Sequence, residues 1–105
     1  MSYRVRIDAL AQRDIDQFST YLADYSETFA LEQIERIDSV FRDALSQSPA
    51  TWSYFFVTGA PYRACLFRVG RRTHFWIVYT IDEETKTVNV LRFWNASKDP
   101  ATFRI

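Results

Sequence analysis

The sequence predicts a single α+β domain over residues 1–105, and three observations lead to this prediction. Two segments of the first half repeat apolar residues every three or four positions, which is typical of amphipathic helices. The segment 62–100 contains three apolar runs rich in β-branched and aromatic residues, and such runs between turn residues are typical of strands. The breaks between the runs are too short for a crossover helix, so these three strands should form a mainly antiparallel sheet.

The chain is expected to begin with a short strand and an amphipathic helix. Residues 3–7 alternate, with apolar side chains at positions 3, 5 and 7 and arginines between them, which predicts a half-buried strand. Asp8 follows as a capping residue for a helix over 9–25. The apolar stripe of this helix consists of Ile15, Phe18, Leu22 and Tyr25. Because the remaining positions are largely polar, this stripe should face a core.

A second helix is predicted directly after the first. Ser26 is its capping residue, Glu27 lies in its first turn, and it extends to about Ser46. Pro49 ends it, because the residue before a proline avoids helical geometry. Its apolar stripe consists of Ile34, Ile37, Phe41 and Leu45, joined by Leu31 and Ala44. The very short joint between the two helices predicts a helical hairpin.

An irregular segment, 48–61, connects the hairpin to the sheet. Within it, Gly59-Ala60-Pro61 predicts the turn that leads into the first strand of the sheet. At the start of that strand, alternation places Arg63 on the same face as apolar residues. An unpaired buried cation is costly, so Arg63 should either have a carboxylate partner or lie at the rim of a site.

The last two strands differ in their patterns. Residues 73–81 are apolar on both faces, which predicts a central strand. In residues 87–94 alternation predicts that Arg92 shares the face of Val88 and Val90, and that Phe93 lies on the opposite face.

Composition restricts the class of protein. A chain that is 48% hydrophobic and 25% charged can build a core and is not typical of a disordered protein. No apolar run reaches the ~20 residues of a membrane span, and the N-terminal ten residues do not resemble a signal peptide. The cytoplasm is therefore the expected location. The single cysteine, Cys65, is predicted to be a small buried hydrophobic residue rather than a reactive thiol.

Charge is unevenly distributed along the chain. Residues 1–58 carry five arginines and nine acidic residues, a net charge of −4, and residues 59–105 carry eight basic and four acidic residues, a net charge of +4. This distribution predicts a polar molecule with a cationic face that could meet nucleic acid or an acidic protein segment. A solvated surface of mixed charge is the other interpretation.

Counting residue types makes several chemistries improbable. One histidine, His74, and one cysteine cannot form a His/Cys zinc site, and two glycines provide no phosphate-binding loop. No metal and no cofactor is expected. The remaining chemistry is that of arginine, lysine and aromatic residues: Arg63, Arg68, Arg92 and Lys98 could bind phosphates, and Tyr or Trp could stack on bases.

The order of elements and several short motifs resemble the RelE/ParE superfamily of bacterial toxins. The motifs are Tyr3-Arg4-Val5 before Ala11-Gln12-Arg13-Asp14-Ile15, Gly59-Ala60-Pro61-Tyr62-Arg63, Trp76-Ile77-Val78-Tyr79, Val88-Asn89-Val90-Leu91-Arg92, and Asn95-Ala96-Ser97-Lys98-Asp99-Pro100. They follow the order of the family over nearly the whole chain. The resemblance implies the toxin of a type II toxin–antitoxin system, neutralised by a cognate antitoxin protein.

The resemblance implies two activities. ParE-like members poison DNA gyrase by binding it, whereas RelE-like members are metal-free endoribonucleases that cleave mRNA on the ribosome. In the second case Arg63 and Lys98 would be the catalytic cations. However, the last loop retains only Lys98 as a cation, and Phe103 occupies the region where RelE-like enzymes can have a tyrosine.

The ParE-like interpretation is therefore the main hypothesis, with a RelE-like ribonuclease or a degenerate, non-toxic member as alternatives. The expected target-binding residues are Arg63, Arg92, Asn95, Ser97, Lys98 and Phe103.

Overall fold

The structure is a computed structural model that describes residues 2–55 and 61–105. Strand β1 (Arg4–Ile7) precedes two helices, α1 (Ala9–Ala23) and α2 (Glu27–Ser39), and α2 continues as a π-helical segment, Val40–Leu45. Strands β2 (Arg63–Arg68), β3 (His74–Asp82) and β4 (Thr87–Asn95) follow, and short 3₁₀ turns lie at Pro49–Thr51 and Pro100–Thr102. The predicted α+β class and helical hairpin are confirmed.

The four strands form one sheet in the order β1-β4-β3-β2. The pairs β2–β3 and β3–β4 are antiparallel as predicted, and β1 joins the outer side of β4 in parallel. Strand β3 is central, and both of its faces are buried, since Ile77, Val78 and Tyr79 are all inaccessible to solvent. The predicted turn at Gly59-Ala60-Pro61 lies largely outside the described residues.

Each face of the sheet has its own apolar cluster. The inner cluster lies between the helices and the sheet and includes Phe18, Ile37, Leu45, Tyr79 and Phe93. The outer cluster lies on the opposite face and consists of Phe55, Ala64, Val78, Trp94 and Phe103, with Tyr62 and Trp76 packed against it. Two layers of side chains therefore hold β3, while the helices cover only the inner face.

The helix stripes are mostly confirmed, with two exceptions at the tip of the hairpin. Ile15, Phe18, Leu22, Ile37, Phe41 and Leu45 are buried. Tyr25 lies beyond the end of α1 and is 77% exposed, and Leu31 on α2 is 66% exposed, so the predictions for these two residues are wrong. Tyr25 follows the last residue of α1, and Leu31 lies in the first half of α2.

The caps of the two helices behave differently. Asp8 occupies the N-cap position of α1, but its side chain accepts no hydrogen bond from the helix and lies 3.6 Å from the Arg6 guanidinium. Ser26 caps α2 as predicted, since its Oγ accepts a 3.1 Å hydrogen bond from the backbone N–H of Phe29.

Loss of the Ser26 cap should lower stability measurably. We expect Ser26→Ala to reduce the free energy of unfolding by about 1 kcal/mol, because the Phe29 N–H loses its acceptor in the first turn of α2. Urea unfolding of both proteins measures the difference. The exposed Ser2→Ala is the matched control and should change stability by less than about 0.5 kcal/mol. Equal stability of the Ser26 variant and the wild type would contradict the capping role.

A β-bulge in β4 overturns the predicted faces of Arg92 and Phe93. Val78 pairs with Arg92, whereas the next residue, Tyr79, pairs with Val90, so Leu91 is the extra residue. One extra residue exchanges the two faces for everything after it. Phe93 therefore joins the inner cluster and Arg92 lies on the outer face.

None of the helices in the described part of the chain combines the length and hydrophobicity that a membrane crossing requires.

Candidate functional site

A groove of about 660 Å³ opens between the helical hairpin and one end of the sheet. Helix α1, the start of α2, the β2–β3 turn and the end of β4 form its walls. Its floor is apolar and consists of Phe18, Leu22, Phe29, Val69, Phe75 and Phe93. Stacked and edge-on ring contacts hold this floor together, with Phe75 and Phe93 stacked at 4.4 Å between ring centroids. The rings of Phe18, Phe75 and Phe93 belong to the inner core, so the groove is an open extension of that core.

The free charges at the rim of the groove are positive. Arg71 and Arg72 in the β2–β3 turn and Lys98 after β4 line it and are exposed. Within residues 2–55 and 61–105 none of these three cations forms an ion pair. The one carboxylate in the lining belongs to Asp14, and Arg92 neutralises it. The groove therefore combines an apolar floor with a basic rim, which suits an amphipathic, acidic occupant.

The loop 95–98 positions Lys98 through local hydrogen bonds. The Asn95 side-chain oxygen accepts hydrogen bonds from the backbone N–H and the hydroxyl of Ser97, at 2.9 and 2.8 Å. The Lys98 N–H donates to the Asn95 carbonyl at 3.1 Å, and the Lys98 ammonium lies 5.2 Å from the centre of the Trp94 ring. Asn95 and Lys98 line the groove, and Ser97 holds the loop between them.

Arg63 lies at the start of β2, away from the groove, and pairs with main chain instead of a carboxylate. Its guanidinium donates to the Trp52 carbonyl at 2.6 Å and lies 4.3 Å from the centre of the Tyr54 ring. In the sheet Arg63 pairs with Tyr79 of β3, and Asn95, at the groove, pairs with Phe75 of the same strand. Tyr79 and Phe75 are four residues apart. At about 3.3 Å per residue this places Arg63 roughly 13 Å from the groove along the strand. Arg63 therefore ties the segment before β2 to the sheet.

Arg92 is held in a largely buried ion pair. Its Nε donates to Asp14 Oδ2 at 2.7 Å and its Nη2 to Oδ1 at 3.0 Å. Asp14 also accepts from the backbone N–H of Phe93 at 3.0 Å, while Arg92 donates to the Arg104 carbonyl. The pair thus joins α1, β4 and the C-terminal tail.

Phe103 anchors the tail on the outer face. It is 7% exposed, and its ring lies 5.1 Å from those of both Phe55 and Trp94. Of the six predicted target-binding residues, the structure therefore brings Asn95, Ser97 and Lys98 to the groove or its adjoining loop. Arg63, Arg92 and Phe103 lie elsewhere, in contacts within the chain.

Sequence reasoning did not identify Arg71, Arg72, Tyr21 and Phe29 as site residues. In the sequence the consecutive arginines fall in the short break between two predicted strands. Two adjacent cations in a short turn, where both side chains must point outward, were the available signal. Tyr21 and Phe29 gave no comparable signal, because they belong to two helices whose packing the sequence pattern does not specify.

Cys65 has the buried environment that its sequence context predicts. It is 4% exposed in the inner core, and burial raises the pKa of its thiol to about 11. The thiolate is thus disfavoured at neutral pH, which makes the residue a poor nucleophile.

Comparison with known families assigns the chain to a class of protein. The family model for the ParE toxin of the type II toxin–antitoxin system parDE matches residues 5–100. The chain belongs to the ParE toxin family. The match covers the hairpin and the sheet except for Arg4, the first residue of β1, and it confirms the resemblance that the sequence motifs carry.

Solved structures similar to this ParE-family chain come from toxin–antitoxin complexes. One is a chain of the RelBE2 complex of Mycobacterium tuberculosis, with 21% identity, a TM-score of 0.63, and coverage of 90% of this chain and 99% of that chain. Another is a chain of the chromosomal ParDE system of P. aeruginosa, with 16% identity, a TM-score of 0.65, and coverage of 89% and 95%. At these identities the likeness establishes the fold. No curated protein matches the sequence significantly.

Proposed function

We propose that this ParE-family toxin acts in the cytoplasm by binding DNA gyrase, and that a cognate antitoxin neutralises it. The observation that carries the proposal is the groove, an apolar floor rimmed by cations without ion-pair partners among the described residues. Such a surface suits the binding of a protein segment. The family match supports the toxin–antitoxin setting, and gyrase is the target that the ParE resemblance implies.

The positions of the predicted catalytic cations favour binding over RNA cleavage. A metal-free ribonuclease needs cations that converge on one phosphate and a group that moves protons. The strand residues nearest to Arg63 and Lys98, Tyr79 and Phe75, are four positions apart on β3, and Arg63 is already bonded to the Trp52 carbonyl. Phe103, in the region where relatives can have tyrosine, is a buried ring without a titratable group.

A RelE-like ribonuclease is the second candidate, since the fold also resembles a chain of a RelBE2 complex. In that case Lys98, together with the neighbouring Arg71 and Arg72, would contact RNA phosphates, and Arg63 would stabilise phosphate charge from the start of β2. A degenerate member that retains antitoxin binding without toxicity is the third.

A gyrase supercoiling assay tests the main proposal. Purified protein should inhibit ATP-dependent supercoiling by gyrase, because bound toxin would block the enzyme cycle, and addition of the cognate antitoxin should restore the reaction. A topoisomerase that needs no ATP serves as the control for effects on DNA, and its activity should be unchanged. Unaffected supercoiling at a large excess of toxin would rule gyrase out.

A translating extract separates the other candidates. If the protein were a RelE-like enzyme, it would cleave mRNA on the ribosome, and Arg63→Ala would abolish this cleavage in protein that circular dichroism shows to be folded. If the protein were degenerate, its expression without antitoxin would not slow growth. We expect no cleavage and a growth defect.

A further inference from the structure

The groove between the hairpin and the sheet has the size and shape of a small-molecule site. Its volume of about 660 Å³ lies within the roughly 300 to 1,000 Å³ of pockets that enclose small ligands. At its bottom Phe18, Leu22, Phe75 and Phe93 are between 3% and 9% exposed. Because a wide opening would expose these side chains further, the groove is narrow where it reaches them. Such a shape admits a slender alkyl chain more readily than a bulky ring system.

The floor of the groove offers no polar side chain to a ligand. All of its residues are apolar, including Phe29 and Val69. The carboxylate of Asp14, which also lines the groove, is engaged by Arg92. A nucleotide base or a sugar would leave its own polar groups unpaired on this floor, and an unpaired buried polar group is costly. A hydrocarbon tail has no such groups, and each methylene that it removes from water stabilises the complex.

The rim supplies positive charge on the side of the sheet. Arg71 and Arg72 lie in the β2–β3 turn, Lys98 follows β4, and all three are exposed. Within residues 2–55 and 61–105 none of them forms an ion pair. A guanidinium group can bind a carboxylate through two parallel hydrogen bonds, which adds both strength and geometric specificity. An anionic head group at this rim therefore meets cations that no carboxylate of the described chain neutralises.

We propose that the groove binds a single-chain amphipathic anion, of which a free medium-chain fatty acid carboxylate is the simplest member. The alkyl tail would lie on the apolar floor against Phe29 and Val69, and the carboxylate would pair with the cations of the rim. The inference rests on the proposed function in one respect, since a protein segment that occupies the same groove would compete with the fatty acid.

Charge favours the free acid over a lipid that remains in a bilayer. The hairpin beside the groove belongs to residues 1–58, which carry a net charge of −4. An anionic membrane would repel this half of the molecule, whereas a single carboxylate can reach the cations of the rim alone. The C-terminal tail of the chain itself is anchored on the opposite face of the sheet through Phe103.

Three amphiphiles of known charge and length test the proposal on purified wild-type toxin. Decanoate, decyltrimethylammonium and butanoate are each titrated below the concentration at which they form micelles, and amide chemical shifts in two-dimensional NMR report binding. Decanoate should bind saturably at submillimolar concentration and shift the amides of Val69, Phe75 and Phe93. Butanoate, which lacks most of the tail, and the ammonium, which the rim repels, should each bind at least tenfold more weakly. Vesicles of phosphatidylglycerol should not retain the toxin in a co-sedimentation assay.

A pair of variants on α2 tests the contribution of the floor. Phe29 is the most exposed ring of the floor, at 38%, and Phe29→Ala should weaken decanoate binding at least fivefold. Leu31 lies on the same helix outside the lining, so Leu31→Ala should keep the affinity within twofold of the wild type. Circular dichroism confirms that both variants are folded.

Charge reversal at the rim should reverse the preference for the head group. Arg71→Glu/Arg72→Glu should bind decyltrimethylammonium more tightly than decanoate, with shifts at the same floor amides. Arg4→Glu/Arg6→Glu makes the same change in net charge on β1 and should keep the order of the wild type. The expected result is a gain of binding at defined amides, which an unfolded variant could not produce.

Several results would overturn the proposal. These are no saturable binding of decanoate at millimolar concentration, equal binding of decyltrimethylammonium to the wild type, or shifts centred on Trp94 and Phe103 of the outer face. Retention by phosphatidylglycerol vesicles would identify a bilayer lipid as the ligand and would equally contradict it. Because these titrations use the toxin alone, a failure here leaves the gyrase assay unaffected, and a toxin that does not inhibit gyrase can still be tested for decanoate binding.

Discussion

Asp14→Ala should lower the free energy of unfolding by about 3 to 5 kcal/mol, the usual cost of removing one partner of a buried ion pair. The Asp14 and Arg92 side chains are 13% and 14% exposed. The substitution leaves the Arg92 guanidinium and the Phe93 N–H without their acceptor. It also removes the polar contact between α1 and the part of β4 that extends beyond β1.

Urea unfolding of wild type and variant measures this loss. Asp16→Ala removes a carboxylate from an exposed position of the same helix and should change stability by less than about 0.5 kcal/mol. The double variant Asp14→Ala/Arg92→Met should recover part of the loss, because no unpaired charge then remains buried. A double variant less stable than Asp14→Ala alone would show that packing around Arg92, and not the unpaired charge, dominates.

The elements of the fold are predictable because each depends on a local pattern. The spacing of Phe18 and Leu22, or of Ile37 and Phe41, is enough to indicate helices with one buried face. Ser26 identifies the start of α2 because a capping hydrogen bond joins residues that are close in the sequence, here the Ser26 hydroxyl and the N–H three residues later. In β3 a continuous apolar run indicates a strand covered on both sides, and Val78 and Tyr79 are fully buried on opposite faces.

Features that depend on contacts distant in the sequence are not predictable in this way. The bulge at Leu91 results from the fit of β4 to β3, and strict alternation therefore assigns Arg92 and Phe93 to the wrong faces. The ion pair of Arg92 with Asp14 joins residues 78 positions apart, and neither position alone indicates it.

The candidate site shows the same division. Asn95 and Lys98 follow the last strand, and a loop after a strand end is a reasonable place to expect function. Arg71 and Arg72 reach the same groove only because the β2–β3 turn lies beside the end of β4, where Phe75 pairs with Asn95. The sequence suggests a site at Arg63 because alternation places this cation among apolar residues. In the structure, main-chain carbonyl groups of the preceding segment accept hydrogen bonds from its guanidinium and offset the cost of burying its charge.

Charge reversal at the rim of the groove should weaken binding of the cognate antitoxin about a hundredfold, or roughly 2.8 kcal/mol. The variant is Arg71→Glu/Arg72→Glu, which replaces two exposed cations of the lining by anions. If an acidic segment of the antitoxin occupies the groove, attraction then becomes repulsion, and like charges across an interface cost several kcal/mol. Titration calorimetry at physiological salt measures the change.

The matched control is Arg4→Glu/Arg6→Glu, which makes the same change in net charge at exposed positions of β1, on the opposite edge of the sheet. Its affinity for the antitoxin should stay within threefold of the wild type. Raising the salt concentration should weaken binding of the wild type and of this control, because screening reduces attraction between exposed charges. For the rim variant the same salt should leave the affinity unchanged or raise it, because screening there reduces a repulsion. Equal losses in both variants would mean that net charge matters and the groove does not, and an unchanged affinity of the rim variant would place the antitoxin elsewhere on the toxin.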